Sequence, residues 1–268
     1  MINLKSRDDV EKMRAAGRLA ARTLNKLVKA AKVGVTTASL DKMAHDFIIK
    51  HGGVPSPLNY KGFPKSICTS INDVLCHGIP SRSEKLKRGD VINIDVTVTL
   101  DGFHGDTSRT VIIGQDAQRA ESLVRTTERA MLEAIKMVKP GVTLGAIGQF
   151  LHEHARGNGF CLVRDFIGHG IGRGFHEAPA VPDSYVVGQG TVLEAGMTFT
   201  IEPIYVDGKS DFKILSDGWT AISRDKSISA QFEHTVLVTQ TGVEILTYCD
   251  GTPVPEDVRR VVKLANSN

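Results

Sequence analysis

The chain repeats itself at a fixed distance, and this constrains its fold more than any single propensity. "KVGVT" at Lys32 to Thr36 returns as "KPGVT" at Lys139 to Thr143, and "LKRGDVINID" at Leu86 to Asp95 returns as "LEAGMTFTIE" at Leu193 to Glu202, both displaced by 107 residues. Two separated matches at one displacement argue for a duplication. In the first copy Val10, Met13, Ala20, Leu24, Leu27 and Val28 follow a helical period behind a Ser6/Asp9 capping pair, so a helix is expected from about Ser6 to Ala31. Leu40, Ala44, Phe47 and Ile48 mark a second helix, stopped by "HGG" at 51 to 53. The second copy has corresponding apolar sets from Leu123 to Val138 and from Ile147 to Ala155. Each pair of helices leads into β-rich sequence: "VINIDVTV" and "TVIIG", then "TFTIEPIYV" and "HTVLVT". The expected fold is α/β of the α+β kind, a pseudo-twofold arrangement with antiparallel sheets inside and helices outside. No Pro, Gly or Ser-rich linker lies near residues 110 to 120, so one domain over 1–268 is expected, with halves at about 1–110 and 111–250. A site built from both halves belongs in the crevice between them.

The repeat aligns Asp95 with Glu202, one carboxylate per half, within apolar strands where a charge is costly unless paired or metal-bound. "DG" at 101 and 102 signals a hairpin turn; a two-residue turn sets Asp95 opposite Ser108 and puts Asp106 diagonally on the same face. Glu233 heads a further apolar strand, and His169 lies in "FIGHGIGRGFHEAP", residues 166 to 179. Singly, a strand aspartate is more often hydrogen-bonded and a histidine structural. Together, four carboxylates and one imidazole form an oxygen-rich set that repels itself, and a pair of divalent cations is the usual way of neutralising it. Other chemistries fit poorly. "GHGIGRG" is not a dinucleotide fingerprint, "HEHAR" and "HEAPA" break H-E-x-x-H, and neither a phosphate loop nor a G-x-S-x-G elbow occurs.

Composition narrows the setting. With 41% hydrophobic and 24% charged residues, the chain has no apolar run near the ~18 residues of a membrane span. "MINLKSRDDVEKMRAAG" lacks a secretory pattern, and the four cysteines form no C-x-x-C pair, so the cytoplasm is expected. A net charge of +3 with one short cluster, "KLKR", gives no footprint for sequence-specific nucleic acid.

"TSINDVLCHGIP", "VINIDVTVTLDGFHGDTSRT", "FIGHGIGRGFHEAP", "GMTFTIEPI" and "QFEHTVLVT" resemble, in order, the motif blocks of the type I methionine aminopeptidases in their short bacterial form. The resemblance implies the pita-bread fold and the removal of N-terminal methionine from nascent chains with a small second residue. It makes Asp95, Asp106, His169, Glu202 and Glu233 ligands of two divalent metals, cobalt, manganese, iron or zinc, with Asp106 and Glu233 bridging. It makes His77 and His176 catalytic imidazoles beside the substrate amide and Glu202 the proton carrier. Tyr60, Phe63, Cys68, Phe175 and Trp219 correspond to the methionine pocket, with Phe63 where a tyrosine is common. Asn72, Val74 and Ser229 correspond to a loop holding a sodium or potassium ion. "EAPAVPDSY", with Pro182 and Asp183, departs from the family at the rim of the cleft. A monomer with transient ribosome contact is implied. Type II enzymes carry an insertion that the segment between Glu202 and Glu233 is too short to hold. Two rivals share the fold: prolidase-like enzymes carry a long N-terminal domain, whereas here the catalytic repeat begins at about Ser6, and non-catalytic modules lose ligands that are all present here. The glycines at 168, 170, 172 and 174 are expected to let backbone approach metal and substrate.

Overall fold

The computed structural model describes residues 2–114, 118–181 and 190–264. Helix α1 (Arg7–Ala30) opens on the expected capping box: the Ser6 hydroxyl accepts from the Asp9 N–H, and the Asp9 carboxylate accepts from the Ser6 N–H. Helices α2 (Thr37–Lys50) and α4 (Leu144–Gly157) are capped by Thr36 and Thr143, and α3 (Gln118–Lys136) ends two residues short of the expected Val138.

The duplication is visible in the hydrogen bonds. The N–H of Gly34 donates to Leu86 O at 2.8 Å, and that of Gly141 donates to Leu193 O at 2.9 Å. The N–H of Leu86 returns to Val35 O at 2.9 Å, and that of Leu193 to Val142 O at 2.8 Å. Gly34 and Gly141 have φ of 88° and 89°, a region open to glycine at little cost, so this loop keeps its glycine in both copies.

Ten strands form the central sheet among the described residues. Its main path runs Val54–Pro55, Val91–Leu100, Phe103–Ile112, Glu233–Val238, Thr198–Ile201, Gly168–Gly170, Glu177–Val181, and every pairing along it is antiparallel. One pairing off the path, Val243–Ile245 with Lys263–Leu264, is parallel. At the middle, Phe103–Ile112 and Glu233–Val238 join sequence from the two copies. The helices cover the sheet over two apolar cores. Leu24, Leu27, Leu40 and Ile48 pack with Ile92, Ile94 and Val96 in one, and Leu123, Ile135, Ile147 and Leu151 pack with Phe199, Ile201 and Val236 in the other.

Two local features position the site. Asp101 and Gly102 make the two-residue turn at φ 50° and 75°, and the register sets Asp95 against Ser108 as expected. "TFTIEPIYV" is not one strand: it breaks at Glu202 and Pro203, and Ile204–Val206 pairs in a second sheet with Ser229–Gln231 and Cys161–Leu162. Proline has no N–H to give a ladder, so the chain leaves the central sheet there. Among the described residues no helix is long and apolar enough to cross a membrane.

Helix α1 lies directly on the sheet through paired glycines. A Cβ at Gly105 would sit 2.5 Å from the backbone nitrogen of Gly17, and one at Gly17 would sit 2.4 Å from Leu246 O. Backbone cannot yield as a side chain can. Gly105→Ala is therefore expected to lower stability by about 1–3 kcal/mol or more, whereas Gly157→Ala, with no atom within 4 Å of the new Cβ, should leave it unchanged or slightly raised; thermal melts of the two variants check the contrast.

Candidate active site

The strand register decides where the acids point. Cys68 pairs with Asp95, Asp95 with Ser108, and Ser108 with Glu233, forming one row across four adjacent strands. Cross-strand partners share a sheet face, so Asp95 and Glu233 emerge on one side. Thr97 and Asp106 form the next row along that face, and Thr97 Oγ1 donates to Asp106 Oδ1 at 2.8 Å. Glu202 and His169 come from the other copy, linked by Thr200. Its hydroxyl donates to Glu202 Oε1 at 2.6 Å and accepts the His169 backbone N–H at 3.0 Å. The His169 ring faces Gly170 O with Nδ1 at 3.0 Å, and a carbonyl can only accept, so Nδ1 carries the proton. That leaves the Nε2 lone pair 3.8 Å from Asp106 Oδ2 and 3.7 Å from Glu202 Oε1. One ligand-type atom from each of Asp106, His169 and Glu233 lies within 4.8 Å of the others.

Electrostatics make this cluster costly without a cation. Burial pushes the Asp95 carboxyl up to about 7. Burial first, and then the charges of the neighbouring acids, lifts Asp106 and Glu233 well above the usual carboxylate range. Among the described residues, Asp95 Oδ1 is a buried oxygen with no hydrogen-bond partner. An orphaned carboxylate oxygen, mutually repelling acids and an imidazole presenting a free lone pair fit a hard divalent cation.

The same five residues line a cavity of about 330 Å³ together with His77, His176, Tyr60, Phe63, Cys68, Phe175 and Trp219. Phe63 meets Trp219 edge-on at 5.2 Å, and Tyr60 stacks on His176 at 5.4 Å. His77, in the left-handed region at φ 57°, turns its ring edge-on to Trp219 at 6.1 Å. Burial holds all three imidazoles below their ordinary value: His77 moderately, His169 at about 4, and His176, also facing His169 and Lys61, at about 3. All are neutral near pH 7.

The remaining expectations resolve differently. Asn72, Val74 and Ser229 do meet: the Ser229 hydroxyl donates to Val74 O at 2.9 Å and its N–H to Asn72 O at 2.9 Å. Pro182 and Asp183 lie outside the described residues. At Gly168 and Gly170 the approach that glycine permits is of strand to strand, since added Cβ atoms would lie 2.4 Å from Thr200 O and 2.2 Å from Ala178 O. Sequence reasoning missed Thr97, Thr200 and Gln231, whose Nε2 reaches Glu202 Oε2 at 3.4 Å. A signal existed for the threonines: each stands two residues from an acid, on the same face by the strand period.

A duplicated α/β fold with buried carboxylates and an imidazole converging from both copies over one cavity defines a metallopeptidase-type centre. The profile of Metallopeptidase family M24 matches residues 11–240. Methionine aminopeptidase A of Synechocystis sp. is 51% identical over 246 residues, covering 92% of this chain and 97% of that protein. The crystal structure of methionine aminopeptidase from Rickettsia prowazekii has a TM-score of 0.91 at 50% identity, covering 92% of this chain and 100% of that one. The prolidase from Pyrococcus horikoshii OT3, at 21% identity and a TM-score of 0.74 with 64% of its chain covered, shares the fold alone. The chain belongs to metallopeptidase family M24 and, within it, to the methionine aminopeptidases. Its architecture is the pita-bread fold of that family.

The raised carboxyls give a pH test with a definite sign. A group whose folded pKa exceeds its unfolded value, about 4 for Asp and Glu, favours the fold below that value and ceases to do so as pH rises through the folded one. The metal-free protein should therefore lose thermal stability between about pH 4 and pH 7, where Asp95 ionises. Divalent metal should restore it, with proton release, because ligands bind deprotonated; melts against pH with and without chelator check this.

Proposed function

We propose that the chain is a metal-dependent aminopeptidase that removes N-terminal methionine from nascent proteins and peptides with a small second residue. The observation that carries this reading is one cavity lined by both the acid–imidazole set and an aromatic, sulfur-bearing wall. The names of the relatives support it. In this reading Asp95, Asp106, His169, Glu202 and Glu233 would hold two divalent metals. The donor set is hard with a single imidazole, which suits cobalt, manganese or iron(II) as well as zinc. When bound, such metals would make a water more acidic and polarise the scissile carbonyl. Glu202 takes the proton of the attacking water and delivers it to the leaving nitrogen; Thr200 and Gln231 orient its two oxygens for that. His176 donates to the developing oxyanion and His77 meets the amide nitrogen. As neutral rings, each offers one N–H. Tyr60, Phe63, Cys68, Phe175 and Trp219 enclose the methionine thioether. A sodium or potassium ion at Asn72, Val74 and Ser229 completes the reading. So do a single domain of two related halves, a monomeric state, a cytoplasmic setting and transient contact with the ribosome.

Peptides test the specificity. Met-Ala-Ser should be hydrolysed in the presence of metal, while Met-Glu and Met-Lys peptides should resist because a cavity of about 330 Å³ leaves little room for a long second side chain. Equal kcat/KM for Met-Ala and Met-Glu peptides, or for Leu and Met in first position, would contradict this.

The two neighbouring histidines separate metal from substrate. His169→Ala is expected to lower metal affinity about 10-fold or more, whereas His176→Ala should keep its metal and lose roughly 100- to 1,000-fold in kcat, the scale of one oxyanion donor. Metal analysis beside steady-state kinetics checks the division; equal loss of metal in both variants would refute it.

A further inference from the structure

We propose that the Lys5–Glu177 ion pair, buried at its lysine end, positions His176 for catalysis, a role that rests on the assignment of His176 to the substrate. Lys5 lies just ahead of α1, and its side chain is only 2% exposed. Its ammonium donates to Glu177 Oε2 at 3.1 Å and to Asn3 O at 2.9 Å, and its backbone N–H donates to Gly196 O at 2.8 Å. The other Glu177 oxygen, Oε1, accepts the Gly174 N–H at 2.6 Å. One carboxylate thus spans the base of the turn that displays Phe175 and His176. Its first oxygen holds the residue before Phe175, and its second is tied to a lysine 172 positions away in sequence.

The glycines of this turn make room for the pair. A Cβ at Gly172 would lie 2.4 Å from Lys5 Cε, and one at Gly174 would lie 2.9 Å from Glu177 Cγ. The turn is held from two further sides: the His104 N–H donates to Gly172 O at 2.9 Å, and Arg173 reaches Asp9 at 3.2 Å. Neither Lys5 nor Glu177 lines the cavity, so both act through what they hold. Desolvation offsets much of the attraction in a buried ion pair, which makes it a weak source of stability; what such a pair can supply is a defined orientation. Aromatic contacts with Tyr60 and Phe175 hold the His176 ring on its faces, and the turn sets where its backbone starts. A shift of about 1 Å in a group that contacts the reacting atoms can cost on the order of 100-fold in rate.

The test is a double-mutant cycle on the metal-loaded protein with Met-Ala-Ser as substrate. Glu177→Gln keeps the shape and removes the charge; kcat should fall about 10- to 100-fold with KM and bound metal little changed. In a His176→Ala background the same substitution should cost no more than about 2-fold, because the group it positions is gone. Lys5→Met should behave alike and Lys5→Arg should recover most of the rate; these two decide the matter if Glu177→Gln folds poorly. Wild-type protein that cleaves methionyl peptides, with full kcat retained in Glu177→Gln and Lys5→Met, would overturn the positioning role, as would equal fractional losses in the two backgrounds. Wild-type protein that cleaves no methionyl peptide would instead overturn the reading of the site, and this role with it.

Discussion

Four carboxylates brought together, three from one face of the central sheet and Glu202 from the break beside it, is the condition on which the rest of this structure depends. Asp106 and Glu233 are almost completely buried, Asp95 Oδ1 has no partner among the described residues, and the neighbouring acids raise both Asp106 and Glu233. Such a cluster does not assemble by local preference. It is held by elements each stable for its own reason: a turn that fixes one register, apolar cores beneath both helix pairs, and threonine hydroxyls that each clamp one carboxylate oxygen. The fold stores the repulsion that a cation relieves, and metal affinity and folding become linked quantities.

The two copies supply acids by different routes. Asp95 stands inside an unbroken strand, so its direction follows from pairing alone. Its counterpart Glu202 stands where the chain leaves the central sheet, one residue before Pro203, and the partner strand breaks opposite at Phe232 before Glu233 begins the next segment. The strands therefore switch sheets together beside the site. A break frees backbone from the ladder and lets Glu202 take its aim from Thr200 and Gln231. A duplicated framework carrying one rigid and one adjustable acid suits a centre in which some groups only hold and another moves a proton.

Much of this was legible in the chain because it rests on short-range rules. The displacement of 107 residues recurs as the same loop hydrogen bonds, and "DG" at 101 and 102 set the register that brings Asp95 and Asp106 to one face. What escaped depends on distance in sequence. Nothing local marks Lys5 as the partner of Glu177, or Arg14 as the bidentate partner of the buried Glu244, since each link closes a loop of well over a hundred residues. The strand break at Pro203 was a local signal passed over in favour of a long apolar run. Gly17 and Gly105 looked unremarkable apart, and only their meeting shows why neither has room for a side chain.

Burial acts in opposite senses on the two kinds of titrating group here, and the site depends on both. It raises the acids, so that without a cation they resist ionising, and it lowers the imidazoles, so that His169 and His176 remain uncharged well below pH 7. A cationic His169 would have no lone pair for a metal, and a cationic His176 would place a positive charge against the His169 ring. Neutral rings avoid both conflicts while keeping one N–H to donate. The rings packed against His176, Phe175 at 4.4 Å and His169 at 4.1 Å, therefore have an electrostatic consequence as well as a steric one: they desolvate part of an imidazole that is otherwise exposed. The aromatic wall of the cavity and the partial desolvation of its imidazoles are thus one feature seen from two sides.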